Sequence, residues 1–243
     1  MNARLWDGRI FLLSLLSGLV AGGIVAALNM TLLKPYTDAV GEIILDELIA
    51  NGEYDEEYFD SLLQTLYLTQ TGGSVAIGVA AGALIGGTYI LGNKADSSRV
   101  KNAVVIAGIA WFVLYFVPAV KYPPSLQAIY DAEAASSYYP SYYGYVAISG
   151  LSALAIAVGF RKIAVRNKVF AMAALYMAAG AAAFLLFPDY QFDANLPAQT
   201  INSWRVSISI AMTTLWFAAG ILCGILWTYA GGKGVKDKPR VKT

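Results

Sequence analysis

An all-α, polytopic membrane helix bundle of six transmembrane helices, with both termini cytoplasmic, is the fold class this sequence predicts. Three observations predict it. The 243 residues are 58% hydrophobic and only 14% charged, with mean hydropathy +0.56, whereas soluble domains carry about 25% charged residues. Six apolar stretches each approach the ~20 residues that a bilayer-spanning helix needs. The basic residues fall in alternate connecting segments, as they do when Lys and Arg stay on the cytoplasmic side.

The spans are read at about Ile10–Leu33, Ser74–Leu91, Ala103–Val117, Tyr145–Phe160, Val169–Phe187 and Val206–Tyr229. The first is too long for a cleaved signal and lacks a convincing small-residue cleavage site, so it is expected to remain as a helix. The third and fourth are short and invite extension by their neighbours. Gly18, Gly22 and Gly23 lie on the first span, with Gly78, Gly82, Gly86 and Gly87 on the second. Gly78, Gly82 and Gly86 share one helix face, which lets another backbone approach closely. Such a face serves helix packing or lines a path with bare backbone. Residues 1–230 read as one bundle domain and 231–243 as a basic cytoplasmic tail.

Of the 17 Lys and Arg residues, 14 lie in one set of segments: Arg4 and Arg9; Lys94, Arg99 and Lys101; Arg161, Lys162, Arg166 and Lys168; and Lys233, Lys236, Lys238, Arg240 and Lys242. Only Lys34, Lys121 and Arg205 lie in the other. Acids run the opposite way, with Asp7, Asp96 and Asp237 alone on the basic side. Near an anionic leaflet each Lys or Arg is worth about 1 kcal/mol. Removing any one internal span would scatter the basic segments over both faces, so the charge pattern also supports the count of six.

The acidic connector from Lys34 to Gly73 predicts an amphipathic helical hairpin (37–71) on the outer face. Thr37 is placed to cap a helix starting at Asp38, with Val40, Ile43, Ile44 and Leu48 at helical spacing. After Asn51-Gly52, a second helix is expected near Glu56–Thr69, with Phe59, Leu62, Leu63, Leu66 and Tyr67 as its apolar stripe. Its acids form a solvated polar face or gather cations. Tyr130, Tyr138, Tyr139, Tyr142, Tyr143 and Tyr145 read as an interfacial aromatic belt. Pro35, Pro118 and Pro188 follow the three outward-running spans and are expected to stop them. Their recurrence would also fit a repeated two-span hairpin.

The chain has no His and one cysteine, Cys223. That excludes His- or Cys-built zinc clusters, an intrachain disulfide, and Ser-His-Asp or Cys-His catalysis. No Walker-type phosphate loop is present, and Gly231-Gly-Lys-Gly234 has no strand before it. No basic block points to nucleic acid. Ionisable groups inside a span are costly and usually functional, and none sits mid-span here. The polar candidates cluster at the outer ends: Asn29, Thr31, Lys34, Gln70, Lys121, Asp189, Gln199, Asn202 and Arg205. They serve as interfacial anchors and interhelix hydrogen bonds, or they line an ion or solute vestibule. Asn202 and Arg205 share a helical face, and Lys121 or Arg205 could pair with Asp189.

Three segments resemble the CbtA-type predicted cobalt transporter subunits. The first is the opening Leu-, Ala- and Gly-rich helix that ends near Asn29 and Lys34-Pro35 before an acidic segment. The second is Trp111-Phe-Val-Leu-Tyr-Phe-Val-Pro118-Ala-Val-Lys121-Tyr-Pro-Pro124. The third comprises Phe187-Pro-Asp189, Leu196-Pro-Ala198, Trp204-Arg205-Val-Ser207 and Leu215-Trp216-Phe217 near Gly220. The resemblance implies an integral membrane protein of a prokaryotic inner membrane, not an enzyme, with cobalt ion as transported substrate and a small membrane-bound partner subunit. Family members often carry His in the acidic segment, and this chain has none. A metal path here would use Asp, Asn, Gln and backbone oxygens, or Met, or ligands borrowed from a partner. A structural or accessory subunit of a larger membrane complex is the alternative, and homo- or hetero-oligomers fit either. Transport of another solute and membrane-enzyme chemistry remain the third class.

Overall fold

The computed structural model describes residues 3–92, 98–163, 166–190 and 197–232. Lys94, Asp96, Asn195, Leu196 and the basic tail from Lys233 onward lie outside the described residues. Those that are described form helices and no strand: α1 (Ala3–Leu32), α2 (Lys34–Asn51), α3 (Glu56–Leu91), α4 (Arg99–Trp111), a π-turn (Phe112–Phe116), α5 (Val117–Lys121), α6 (Gln127–Tyr130), α7 (Ala132–Gly159), a 3-10 turn (Phe160–Lys162), α8 (Lys168–Leu186) and α9 (Ala198–Gly232). Six helical segments are long and apolar enough to cross a membrane: Trp6–Leu32, Glu56–Leu91, Arg99–Lys121, Ala132–Lys162, Lys168–Leu186 and Ala198–Gly231.

α1, α3, α4 and α9 share the main core, which includes Ile10, Val25, Ile85, Leu215 and Trp227. Glycine sets the distance between α1 and α3. A Cβ on Gly18 would collide with the Gly78 carbonyl, one on Gly82 with the Ser14 carbonyl, and one on Gly22 would lie 2.7 Å from the Val75 Cα. The expected glycine face is therefore a packing seam between two backbones. At the far end of the bundle, the Trp227 indole donates to Ser14 Oγ (3.1 Å) and stacks on Tyr89. The Arg99 guanidinium donates to the Trp227 carbonyl (2.8 Å) and lies over Trp6, tying the start of α4 to the end of α9.

Three sequence expectations change here. The helix after the first span starts at Lys34, not Asp38, because Pro35 is preset for a first helical turn. Thr37 does not cap it: its hydroxyl donates back to the Leu33 carbonyl (3.2 Å). The second hairpin helix does not stop near Thr69. Capped by Asp55, whose carboxylate accepts from the Tyr58 N–H, it runs on as one 36-residue helix through the second span. The Gly72-Gly73 pair costs helix propensity of about 1 kcal/mol per residue, and neighbouring turns absorb it.

The prolines act differently from one another. Pro188 follows the end of α8, whereas Pro35 opens a new helix almost without a gap. Pro118 lies inside the third span. The Val117 N–H bonds to the Phe112 carbonyl in the wider π register. The Val113 carbonyl would then need the N–H of residue 118, which proline lacks. The Ser149 hydroxyl of α7 donates to it instead (2.6 Å) and pairs with Tyr176 of α8 (2.7 Å). The π-turn is thus the local answer to Pro118, and it joins α7 and α8 to the rest of the bundle.

The tyrosine belt is also corrected in part. The fourth span begins as early as Ala132, with Pro140 inside its helix. Tyr122, Tyr138 and Tyr145 are buried in a second core with Ala128 and Ala183. The Tyr145 hydroxyl donates to the Gly180 carbonyl, and that of Tyr122 to the Pro188 carbonyl (2.6 Å). Tyr139 and Tyr143 do stay exposed. Period and composition do not distinguish a ring that faces lipid from one that faces a neighbouring helix.

Candidate functional site

Where α1 meets α2, the bundle opens into a cavity of about 430 Å³ between α1, α3, α6 and α9. Its walls are mainly aliphatic, among them Val25, Leu33, Leu66, Ile77, Leu126 and Leu215. Asn29, Thr37, Thr69, Gln70, Ser74, Tyr139, Trp204 and Met212 supply the polar and sulfur atoms. A mostly apolar hollow of this size with few convergent polar groups is the usual form of a small-molecule site.

Local structure aims these groups. Asn29 lies one turn before the end of α1. Gln70 and Ser74 lie one turn apart on α3, so both face α1. The Ser74 hydroxyl donates to the Gln70 carbonyl (2.8 Å), so its single proton is spent. It accepts from Asn29 Nδ2 (2.9 Å). Asn29 Oδ1 then has no partner, although the residue is only 6% exposed. Gln70 contacts the Thr37 hydroxyl through Oε1 (3.3 Å), and its Nε2 is buried without a partner. The Trp204 indole N–H, on a side chain 6% exposed and edge-on to Tyr36, is likewise unpartnered. Native interiors leave few such groups, and each costs about 1–3 kcal/mol. Three of them border this one cavity.

Of the residues singled out from sequence, the structure brings Asn29 and Gln70 together here. A second pair meets elsewhere: the Lys121 ammonium is bonded to the Asp189 carboxylate and lies over the Phe184 ring. The lysine side chain is 4% exposed and the aspartate 87%, so the cation is sunk among apolar groups while its counter-ion stays at the surface. Lys34 lies outside the cavity, paired with Asp38 (2.6 Å) on an exposed face. Gln199 and Asn202 are exposed in the first turns of α9. Arg205 is half-buried, with Nε donating to the Pro124 carbonyl (3.5 Å), and borders a shallow surface groove. Thr31 bonds its own helix at the surface.

Sequence reasoning missed Ser74, Thr69, Trp204 and Met212 as cavity residues and read Thr37 only as a cap. The i, i+4 spacing of Gln70 and Ser74 was an available signal for the first. Nothing local marks Trp204, because its role depends on α9 lying beside α1. Among the described residues, no three of His, Cys, Asp and Glu come together as a metal-holding group.

A chain whose described residues are helical, with six spanning-length helices among them and a small cavity between, is a multi-pass membrane protein. Its family is also known: residues 8–228 match the model of CbtA, described as a probable cobalt transporter subunit, and the chain belongs to that family. No curated protein and no solved structure gives a match.

Proposed function

We propose that this chain is the membrane-embedded component of a divalent-metal transporter of cobalt type, taking up ions from a vestibule on the outer face. The family match over residues 8–228 carries the reading. Both termini are cytoplasmic by the distribution of Lys and Arg, which puts the α2–α3 hairpin and the cavity mouth outside. The chain is not an enzyme, and cobalt is its cargo. The Lys121–Asp189 pair forms the entrance, with Gln199, Asn202 and Arg205 around it.

The described residues offer neutral oxygens, scattered carboxylates and Met212 rather than a clustered ligand set. Selectivity for a transition metal needs softer or better-gathered donors. The chain therefore relies on a small membrane partner, or on ligands the ion already carries. The same observation favours a second reading, an accessory subunit that supports another transporter chain. Long apolar faces on α7 and α8, including Leu151, Leu154, Phe170 and Leu185, are exposed, and lipid or a partner would cover them.

The test is uptake of labelled cobalt and nickel in cells expressing the chain with and without a candidate partner. Transport predicts accumulation above empty cells, reduced by Asp189→Ala or Asn202→Ala. If no combination accumulates metal, the transport reading fails and the accessory one stands.

A further inference from the structure

We propose that the cavity between α1, α3 and α9 binds an uncharged organic molecule with a carboxamide-like polar edge and an apolar body. The inference rests on the cavity alone and holds whether or not metal crosses the chain. Two observations fix the polar edge. Asn29 Oδ1 is an acceptor in want of a donor, because Nδ2 is the end of the amide that meets Ser74 Oγ. Trp204 Nε1 can only donate, so it requires an acceptor. Gln70 serves either need. Its amide meets the Thr37 hydroxyl, which can donate to Gln70 or to the Leu33 carbonyl. Turning the Gln70 amide over leaves oxygen rather than nitrogen unpartnered. A ligand edge that both donates and accepts satisfies all three, and a primary amide is the simplest such edge.

The rest of the wall excludes charge. Among the described residues, no Asp, Glu, Lys or Arg lines the cavity, and aliphatic side chains make up most of it. A bare dication or a carboxylate brought there would lose its hydration with no counter-charge to replace it. The outward-pointing hydrogen of an indole N–H would also oppose a cation directly. The volume of about 430 Å³ accommodates an amide of six to ten heavy atoms with room to spare.

Saturation-transfer NMR on the full chain in lipid nanodiscs tests this, with empty nanodiscs subtracting partition into lipid. The probes are hexanamide, hexanoate, hexylammonium and cobalt chloride at pH 7.5, with cobalt read as displacement of hexanamide. Saturable hexanamide binding is expected, at least tenfold tighter than that of either charged analogue, with no displacement by cobalt. Asn29→Leu should weaken hexanamide at least tenfold. Asn29→Asp keeps the side-chain shape and should reverse the preference toward hexylammonium. Equal binding of the charged analogues, displacement by cobalt, or no saturable hexanamide signal would overturn the proposal. So would wild-type affinity in both variants. Displacement by cobalt would strengthen the metal-transport reading while ending this one, so the two fail separately.

Discussion

Asn29 shows how one amide acquires a role from its partner's commitments. On sequence it is a polar residue near a helix end; in the structure Ser74 takes its nitrogen and leaves its oxygen over. Gly82 is the opposite case, a residue whose value is the absence of a side chain. Gly82→Val would drive a branched side chain into the α1 backbone at Ser14. It should destabilise the protein by roughly 3 kcal/mol or more, read by thermal unfolding in detergent. Gly23→Ala, with nothing near its Cβ position, should not lower the melting temperature and should raise it slightly, because alanine is the better helix former by up to about 1 kcal/mol. At the surface, the Lys34 ammonium, then the Tyr67 hydroxyl, hold the Asp38 carboxyl below its ordinary range. Such a depressed carboxyl stabilises the fold above its unfolded value, and the effect fades as pH falls through the folded one. The pair is exposed, so the stability at stake is small. Lys34→Gln should move the Asp38 titration upward toward the ordinary carboxylate value, as followed by carboxyl-carbon NMR.

Among the helices, the third span best connects sequence to packing. Pro118 would be expected to end a helix, yet the chain passes through it by widening to a π-turn, and Ser149 supplies the bond that proline withholds. Ser149→Ala should leave the Val113 carbonyl buried and unpaired, a cost of about 1–3 kcal/mol. The same change in a Pro118→Ala background should cost less, because an N–H at 118 restores a backbone partner. A double-mutant cycle of unfolding midpoints checks the coupling. α3 presents a simpler case. Asp55 caps a helix that serves first as hairpin arm and then as span. Asp55→Ala should cost about 1 kcal/mol, measured as a shift in the same unfolding midpoint.

For the assembled bundle, the orientation across the bilayer is the prediction on which the placing of the entrance depends. In a Cys223→Ala background, Asn51→Cys at the tip of the α2–α3 hairpin should react with an impermeant thiol reagent added to intact cells. Lys162→Cys should react only after lysis. The reverse pattern would place the cavity mouth on the cytoplasmic side. The sequence by itself determined the helical class, the six spans and the family resemblance, because apolar run length reports the solvent a helix lives in. It also marked Gly78, Gly82 and Gly86 as a contact face and Asn29 and Gln70 as polar candidates. Only the tertiary structure decided that Asn29 and Gln70 share a cavity with Trp204, and that Lys121 rather than Arg205 bonds Asp189. It alone buried Tyr122, Tyr138 and Tyr145 while leaving Tyr143 exposed. The physical reason is that lipid and a neighbouring helix are equally apolar. Hydropathy therefore shows that a face leaves water, whereas what it meets there depends on side chains far away in the chain.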